Sequence, residues 1–213
     1  MTREEKLLKR LEEMTEIEKS LHKEGCHAIA GVDEVGRGPL SGPVVAACVV
    51  LPSDWDIPGL DDSKKLSEKR RNEMYEIIVQ NAVAYDVGIV DNDRIDEINI
   101  LNATKEAMRD AIAGVRKKTG IDHILIDALT LDVGIPCSGI VKGDAKSISI
   151  AAASIVAKVT RDRMMVEYAK EYPGYGWEKN KGYGTKEHYE GIEKLGITPL
   201  HRRSFLKNHI AGK

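Results

Sequence analysis

Ala30-Gly31-Val32-Asp33-Glu34-Val35-Gly36-Arg37-Gly38-Pro39-Leu40-Ser41-Gly42-Pro43 decides how this 213-residue chain is read. An apolar run leads into two adjacent carboxylates. A Gly-Arg-Gly turn follows, then a loop rich in glycine and proline. The apolar run predicts a buried strand near 28–35. Ionised carboxylates there are costly unless a cation or hydrogen-bond donors compensate them. Gly36 and Gly38 let the backbone take positive φ and approach a ligand closely. Together these features point to a metal site beside a phosphate-bearing substrate. The plainer alternative is a solvated acid pair at a strand end. Neighbouring side chains of a strand face opposite ways, so Asp33 and Glu34 share one site only if the strand ends, bulges or curls.

The flanking sequence supplies the other elements. Pro43 through Leu51 is nearly all apolar, and the short connection predicts an antiparallel pair. Ser67 reads as the cap of a helix to about Gln80, and 83–90 as a third strand. Asn99 caps a helix whose face is Leu101, Met108, Ala111, Ile112 and Val115, ended by Gly120. His123-Ile124-Leu125-Ile126-Asp127 predicts a central parallel strand with Asp127 at its carboxyl end, where ligand sites of α/β sheets gather. Gly139 to Lys146 reads as another strand, ending in a third acid, Asp144. A long helix follows from near Ser147 to Tyr172, with Ser154, Lys158, Arg161 and Asp162 mostly away from its buried face. Before the first strand, residues 3–24 carry leucines at helical spacing, an amphipathic helix stopped by Gly25.

Charge separates the two ends of the chain. From Lys142 onward there are 14 Lys+Arg and 8 Asp+Glu; before it there are 18 and 26. A basic C-terminal third attracts phosphate backbones, unless it is only a solvated surface. Gly174-Tyr175-Gly176-Trp177 and Asn180-Lys181-Gly182-Tyr183-Gly184 interleave aromatics with lysines and glycines, as nucleic-acid surfaces do. Thr185 reads as the cap of a short helix ending before Gly196, and His201-Arg202-Arg203-Ser204-Phe205 as a closing basic patch. Cys26, Cys48 and Cys137 lack metal-site spacing and read as reduced thiols of a cytoplasmic protein. The charged start lacks the apolar core of a signal peptide, and no apolar run nears the ~20 residues that cross a bilayer. The expected division is 1–25, an N-terminal amphipathic helix; 26–172, the catalytic domain; and 173–213, a basic helical segment contributing to substrate binding.

Asp33, Glu34, Asp127 and Asp144 are thus expected at three strand ends. Four converging carboxylates repel one another, and hard divalent cations such as Mg²⁺ or Mn²⁺ relieve that repulsion. Two such ions ~3.5–4 Å apart activate water and stabilise the leaving oxygen in phosphodiester hydrolysis. Lys64 and Lys65, in Asp61-Asp62-Ser63-Lys64-Lys65-Leu66, are candidates for phosphate contact, though a solvated pair reads equally well.

Gly31 to Pro39, Asp62-Ser63-Lys64-Lys65-Leu66, Ile126-Asp127-Ala128, Lys142-Gly143-Asp144-Ala145, Ala152 to Asp162 and Gly182-Tyr183-Gly184-Thr185 resemble bacterial ribonuclease HII. The resemblance spans roughly 29–205. It implies an α/β ribonuclease H-like fold, a five-stranded mixed sheet flanked by helices with a small helical C-terminal part. It also implies an endoribonuclease that cleaves the RNA strand of RNA–DNA hybrids and nicks duplex DNA at embedded ribonucleotides, leaving 3′-hydroxyl and 5′-phosphate ends. By the same resemblance, Asp33, Glu34, Asp127 and Asp144 hold two Mg²⁺ or Mn²⁺ ions. Gly36, Arg37 and Gly38 sense the junction and Tyr183 contacts a sugar, with Lys64, Lys65, Ser154 and Lys158 as further substrate contacts. The expected partners are nucleic acid alone, for a monomer without a membrane and without a recognisable sliding-clamp peptide. Ribonuclease HIII resembles the chain less, because it typically has Gly-Thr-Gly where Gly36-Arg37-Gly38 stands. The alternatives are another nuclease of this fold and, outside enzymes, a hybrid-binding module. The stretch before Ile29 looks like part of an N-terminal extension found in some bacterial members.

Overall fold

In the computed structural model, residues 1–61, 63 and 65–207 are described. Lys64, a candidate phosphate contact, lies outside them, as does the end of the chain where a clamp peptide was sought. Five strands form one mixed sheet in the order β3-β2-β1-β4-β5. They are β1 (Ile29–Val35), β2 (Val44–Val50), β3 (Ala84–Val90), β4 (His123–Asp127) and β5 (Cys137–Ile140). β2 pairs antiparallel with β1 and β3, as the short connection and the all-apolar run implied, and every residue of β2 is buried. β4 runs parallel to β1 and β5.

One face of the sheet is covered by α4 (Asn92–Arg116), through Ala103, Ala107, Met108, Ala111, Ile112 and Val115. The other is covered by α5 (Ile148–Glu171) and α3 (Glu68–Asn81). Side chains on a strand alternate, so Val45, Ala47 and Val49 of β2 meet α5 while Ala46 and Cys48 meet α4. Gly31 sets how closely α5 can lie on β1. A Cβ there would fall 2.0 Å from the Ser149 carbonyl carbon, so only glycine fits. On the opposite face, Gly88 does the same for α4 against the Ala107 carbonyl.

Several expectations change. The N-terminal helix is two, α1 (Arg3–Met14) and α2 (Glu16–Lys23), broken at Thr15. Asn99 does cap a helix, its Oδ1 accepting from the N–H groups of Leu101 and Asn102. But it is a positive-φ kink inside a longer element whose first turns, capped by Asp91, were missed. The missed signal was that Asp cap. Leu101 is 40% exposed in the turn after the kink and leaves the expected buried face; the helix ends at Arg116, short of Gly120. Asp144 is not at a strand end. β5 stops at Ile140, and a short 3₁₀ turn, Gly143–Ala145, carries Asp144.

The C-terminal segment has its own small core. Tyr175, Trp177, Ile192 and Leu206 are buried with Leu40 and Met165, around α6 (Trp177–Asn180) and α7 (Lys186–Leu195). Among the described residues no helix is long and apolar enough to cross a membrane.

Candidate active site

β1 does not bulge at the acid pair; its pairing with β2 is unbroken from Ala30 to Val35. Of the three ways considered for the acids to share a site, the structure shows the strand ending, at Val35 just past Glu34. What opens is the other edge, where pairing with β4 stops at Val32 opposite Ile126. One step on, Asp33 and Asp127 lie level on adjacent strands, on the face that α5 covers. Five helical residues rise about 7.5 Å and two strand residues about 6.7 Å. The contact of Ser149 on Gly31 therefore brings Ser154 over Asp33.

Each acid takes local donors. Asp33, 6% exposed, accepts from the Ser154 hydroxyl and the Glu34 N–H. Ser154 in turn shares a 2.9 Å hydrogen bond with Ser63. Asp127 Oδ1 accepts from the Gly143 N–H at 2.7 Å, which ties β4 to the turn bearing buried Asp144. Glu34 sits 3.4 Å from the Arg37 guanidinium. Burial, then the neighbouring Glu34 and Asp127 charges, hold the Asp33 carboxyl well above the usual carboxylate range. Burial also raises Glu34, against the opposing pull of Arg37.

Among the described residues no three His, Cys, Asp or Glu side chains stand close enough to hold a metal ion between them. The donor set still suits a hard cation. It is all oxygen and mutually repulsive, with Asp33 and Asp144 buried and Glu34 and Asp127 half-buried, a combination that magnesium or manganese relieves and zinc, with its nitrogen and sulfur preference, does not specifically favour.

The loop after β1 is held from two sides by arginines with no exposed surface. From α5, Arg161 donates to the carbonyls of Pro43, Lys181 and Ser41. From the C-terminal segment, Arg202 donates to those of Gly42, Arg37 and Gly36. Burial pulls both guanidinium groups below their ordinary range. Gly36 is at φ +93 and must be glycine, because a Cβ would meet Arg161 Nε at 2.2 Å. Gly38 is different: a Cβ there would merely touch the Tyr183 ring at 3.5 Å. Gly36, Arg37, Gly38 and Tyr183 thus lie together beside the acids, and Tyr183 is 44% exposed.

Three expectations about the surface are corrected. Ser154 and Arg161 are buried, facing the sheet end and the loop; the alanine-rich helix packs almost all round. His201 and Arg202 are buried too, so the closing basic patch reduces to Arg203 among that pair of arginines. Tyr175 and Trp177 are core residues and offer no ring for stacking. Trp177 donates to His188 Nε2, His201 Nε2–H donates to the same nitrogen, and His188 Nδ1–H donates to the Tyr183 carbonyl. His201 Nδ1 accepts from the Thr198 N–H, so both rings are neutral. Burial and the neighbouring His188 lower His201 to about 4. Lys158 pairs with Asp162 at 2.8 Å, and Lys65 lies 3.4 Å from Asp61.

A family model of ribonuclease HII matches residues 30–208. The chain belongs to the ribonuclease HII family. Over 209 residues it is 56% identical to the ribonuclease HII of Caldanaerobacter subterraneus subsp. tengcongensis, covering 98% of this chain and 86% of that protein. Among solved structures, the ribonuclease HII of Archaeoglobus fulgidus in complex with PCNA superposes with TM-score 0.70 at 28% identity, over 82% of this chain and 93% of that one. Aquifex aeolicus ribonuclease H3 shares the fold, with TM-score 0.64 at 18% identity over 88% and 78%. As a ribonuclease HII, the chain is a ribonuclease H endonuclease with the ribonuclease H-like fold.

Two outcomes follow from this geometry. A carboxyl raised on folding favours the native state below its ordinary value near 4, and that contribution is lost as pH rises through the raised value. Asp33→Asn therefore melts higher than the parent at pH 8 in EDTA, with the gap closing toward pH 4; a pH-independent gap counts against this environment. Arg202→Ala strands several buried carbonyls and lowers stability by about 2 kcal/mol or more. Arg203→Ala, at an exposed site, stays within about 0.5 kcal/mol. Equal losses in urea unfolding contradict the assignment of Arg202 as a structural clamp.

Proposed function

We propose that this ribonuclease HII hydrolyses the RNA strand of RNA–DNA hybrids and nicks duplex DNA on the 5′ side of embedded ribonucleotides, leaving 3′-hydroxyl and 5′-phosphate ends. Its place is in removing misincorporated ribonucleotides and RNA primers in the cytoplasm, as a monomer acting on nucleic acid. One observation carries the reading: level carboxylates, Asp33 buried and Asp127 half-buried, stand beside a glycine loop whose open face meets an exposed tyrosine.

Asp33, Glu34, Asp127 and Asp144 would hold two Mg²⁺ or Mn²⁺ ions. When bound, such ions supply charge stabilisation and a nucleophilic water for phosphodiester hydrolysis. The chain's own residues do the rest. Ser154 orients the Asp33 carboxyl, and the Gly143 N–H orients that of Asp127. Because Arg161 and Arg202 take the carbonyls of 36, 37, 41, 42 and 43, the loop is fixed before substrate arrives. Backbone groups of Gly36-Arg37-Gly38 can then meet a 2′-hydroxyl, the one group that separates RNA from DNA at a single nucleotide. The Tyr183 ring, packed against Gly38, suits the following deoxyribose. Lys65 and Lys158, each already paired with an aspartate, are weaker candidates for phosphate contact than their sequence spacing implied.

The test is a DNA duplex with one ribonucleotide, incubated with Mg²⁺ or with EDTA, with product ends mapped. Asp33→Asn, Asp127→Asn and Asp144→Asn should each lower cleavage by about 10²-fold or more, as loss of transition-state charge stabilisation does. Near-normal cleavage removes that acid from the site. Tyr183→Ala should harm the single-ribonucleotide substrate more than a continuous hybrid. Tyr183→Phe should keep more activity, losing only a hydrogen bond of about 0.5–1.5 kcal/mol. Equal losses on both substrates would mean that Tyr183 does not read the junction.

A further inference from the structure

The family match begins at residue 30, so the two N-terminal helices lie outside it. They nevertheless reach the segment that carries Asp144, from both sides. Arg10 of α1 donates through one Nη2 to the Ala145 carbonyl at 2.8 Å and to Asp61 Oδ1 at 2.8 Å. Ala145 is the residue after Asp144. Asp61 opens the loop that contains Ser63, the partner of Ser154, and Lys65.

Glu18 of α2 grips the far side. It is 6% exposed, and its Oε1 accepts from the Ser147 hydroxyl at 2.5 Å and from the Ser149 N–H at 3.0 Å. Ser147 is the cap of α5, its Oγ also accepting from the Ile150 N–H. A carboxylate against the first N–H groups of a 24-residue helix is favoured by the helix dipole as well. Ser149 is the residue pressed onto Gly31, two positions before Asp33.

We propose that Arg10 and Glu18 are positioning residues of the active site, which fix the segment 144–149 and hence the placement of Asp144 relative to Asp33. The segment between β5 and α5 is short, and its 3₁₀ turn is closed by the N–H groups of Ala145, Lys146 and Ser147 on the carbonyls of Lys142 and Gly143. Those bonds shape the turn from within, and the carbonyl just after Asp144 and the cap of α5 take their further ties from the N-terminal helices. Arg10 fixes the carbonyl just after the acid, and Glu18 fixes the helix start three residues beyond it. The inference rests on the metal reading above, since Asp144 matters to chemistry as a metal ligand.

The test uses the full chain with Arg10→Ala, Glu18→Gln and the exposed control Lys6→Ala. Two readouts are taken besides melting. The first is hydrogen–deuterium exchange of peptides covering 143–150 and 44–50, in EDTA. Exchange should speed up in 143–150 for Arg10→Ala and Glu18→Gln, stay unchanged in 44–50, and not move in Lys6→Ala. The second is calorimetric titration with Mn²⁺ alone, in which affinity should fall about 10-fold, the usual effect of losing a group that orients a ligand. The Mg²⁺ concentration for half-maximal cleavage should rise in step, with KM for a hybrid at saturating Mg²⁺ unchanged. Arg10→Lys, which keeps one donor for Ala145, should recover part of the affinity and guards against a fold that fails in the alanine variant. Unchanged exchange in 143–150 overturns the clamp. Faster exchange with unchanged Mn²⁺ affinity overturns its bearing on the site. If Asp144→Asn itself leaves Mn²⁺ affinity unchanged, the metal reading has failed, whatever the exchange data show.

Discussion

Two guanidinium groups without exposed surface, bonded to backbone carbonyls, hold the loop after β1 of this protein. A buried charge is tolerable only when its donors are satisfied, and carbonyl dipoles do that for Arg161 and Arg202 in place of carboxylates. The fork geometry of arginine matters, because one side chain must reach several carbonyls at fixed angles; a lysine is a point charge and cannot. Through these bonds the loop after β1, the helix α5 and the C-terminal segment become one unit. The loop needs such outside help because glycines and prolines give it little regular hydrogen bonding of its own. Further main-chain bonds, Leu40 to Gly182 and Gly42 to Leu200, complete the join.

The sheet was legible because its strands are short apolar runs bounded by turn residues, and because the motifs that carry the resemblance fall at its ends. β2 and β4 were read almost to the residue. Of the candidate site, the placement of Asp33 and Asp127 at neighbouring strand ends was legible, and that of Asp144 in a turn was not. What sequence spacing did not convey was burial on helix faces and in the tail. Ser154 and Arg161 look like surface residues on a 3.6-residue wheel, yet α5 is covered by the sheet on one side and by the loop and C-terminal core on others. Arg202 reads as half of a basic pair with Arg203, and nothing local tells them apart; only the loop's unpaired carbonyls, far away in sequence, decide which one turns inward. Tyr175 and Trp177 misled for the same reason. A glycine-spaced aromatic suits either a stacking surface or a small core, and the two neighbouring buried rings, His188 and His201, decide for the core.

The N-terminal helices show a different gap. Their leucine stripe predicted packing, and Leu11 and Met14 do pack on the sheet's second layer. The polar contacts of Arg10 and Glu18 had no sequence signal, because charged residues are expected in any amphipathic helix. Long-range partners more than a hundred residues away distinguish them.

The inward turn of Arg161 and Arg202 has a further consequence, for how long the protein stays on DNA it has no reason to cut. Each cation facing a phosphate adds about 0.9 to the slope of log affinity against log salt. Two of the 14 cations in the basic third are spent on holding the loop, and Lys158 is engaged by Asp162. The sequence-independent grip is thus weaker than the charge count suggests. For the proposed action on one sugar in a long duplex, weak general attachment would shorten each unproductive visit and let the surface sample more nucleotides per unit time.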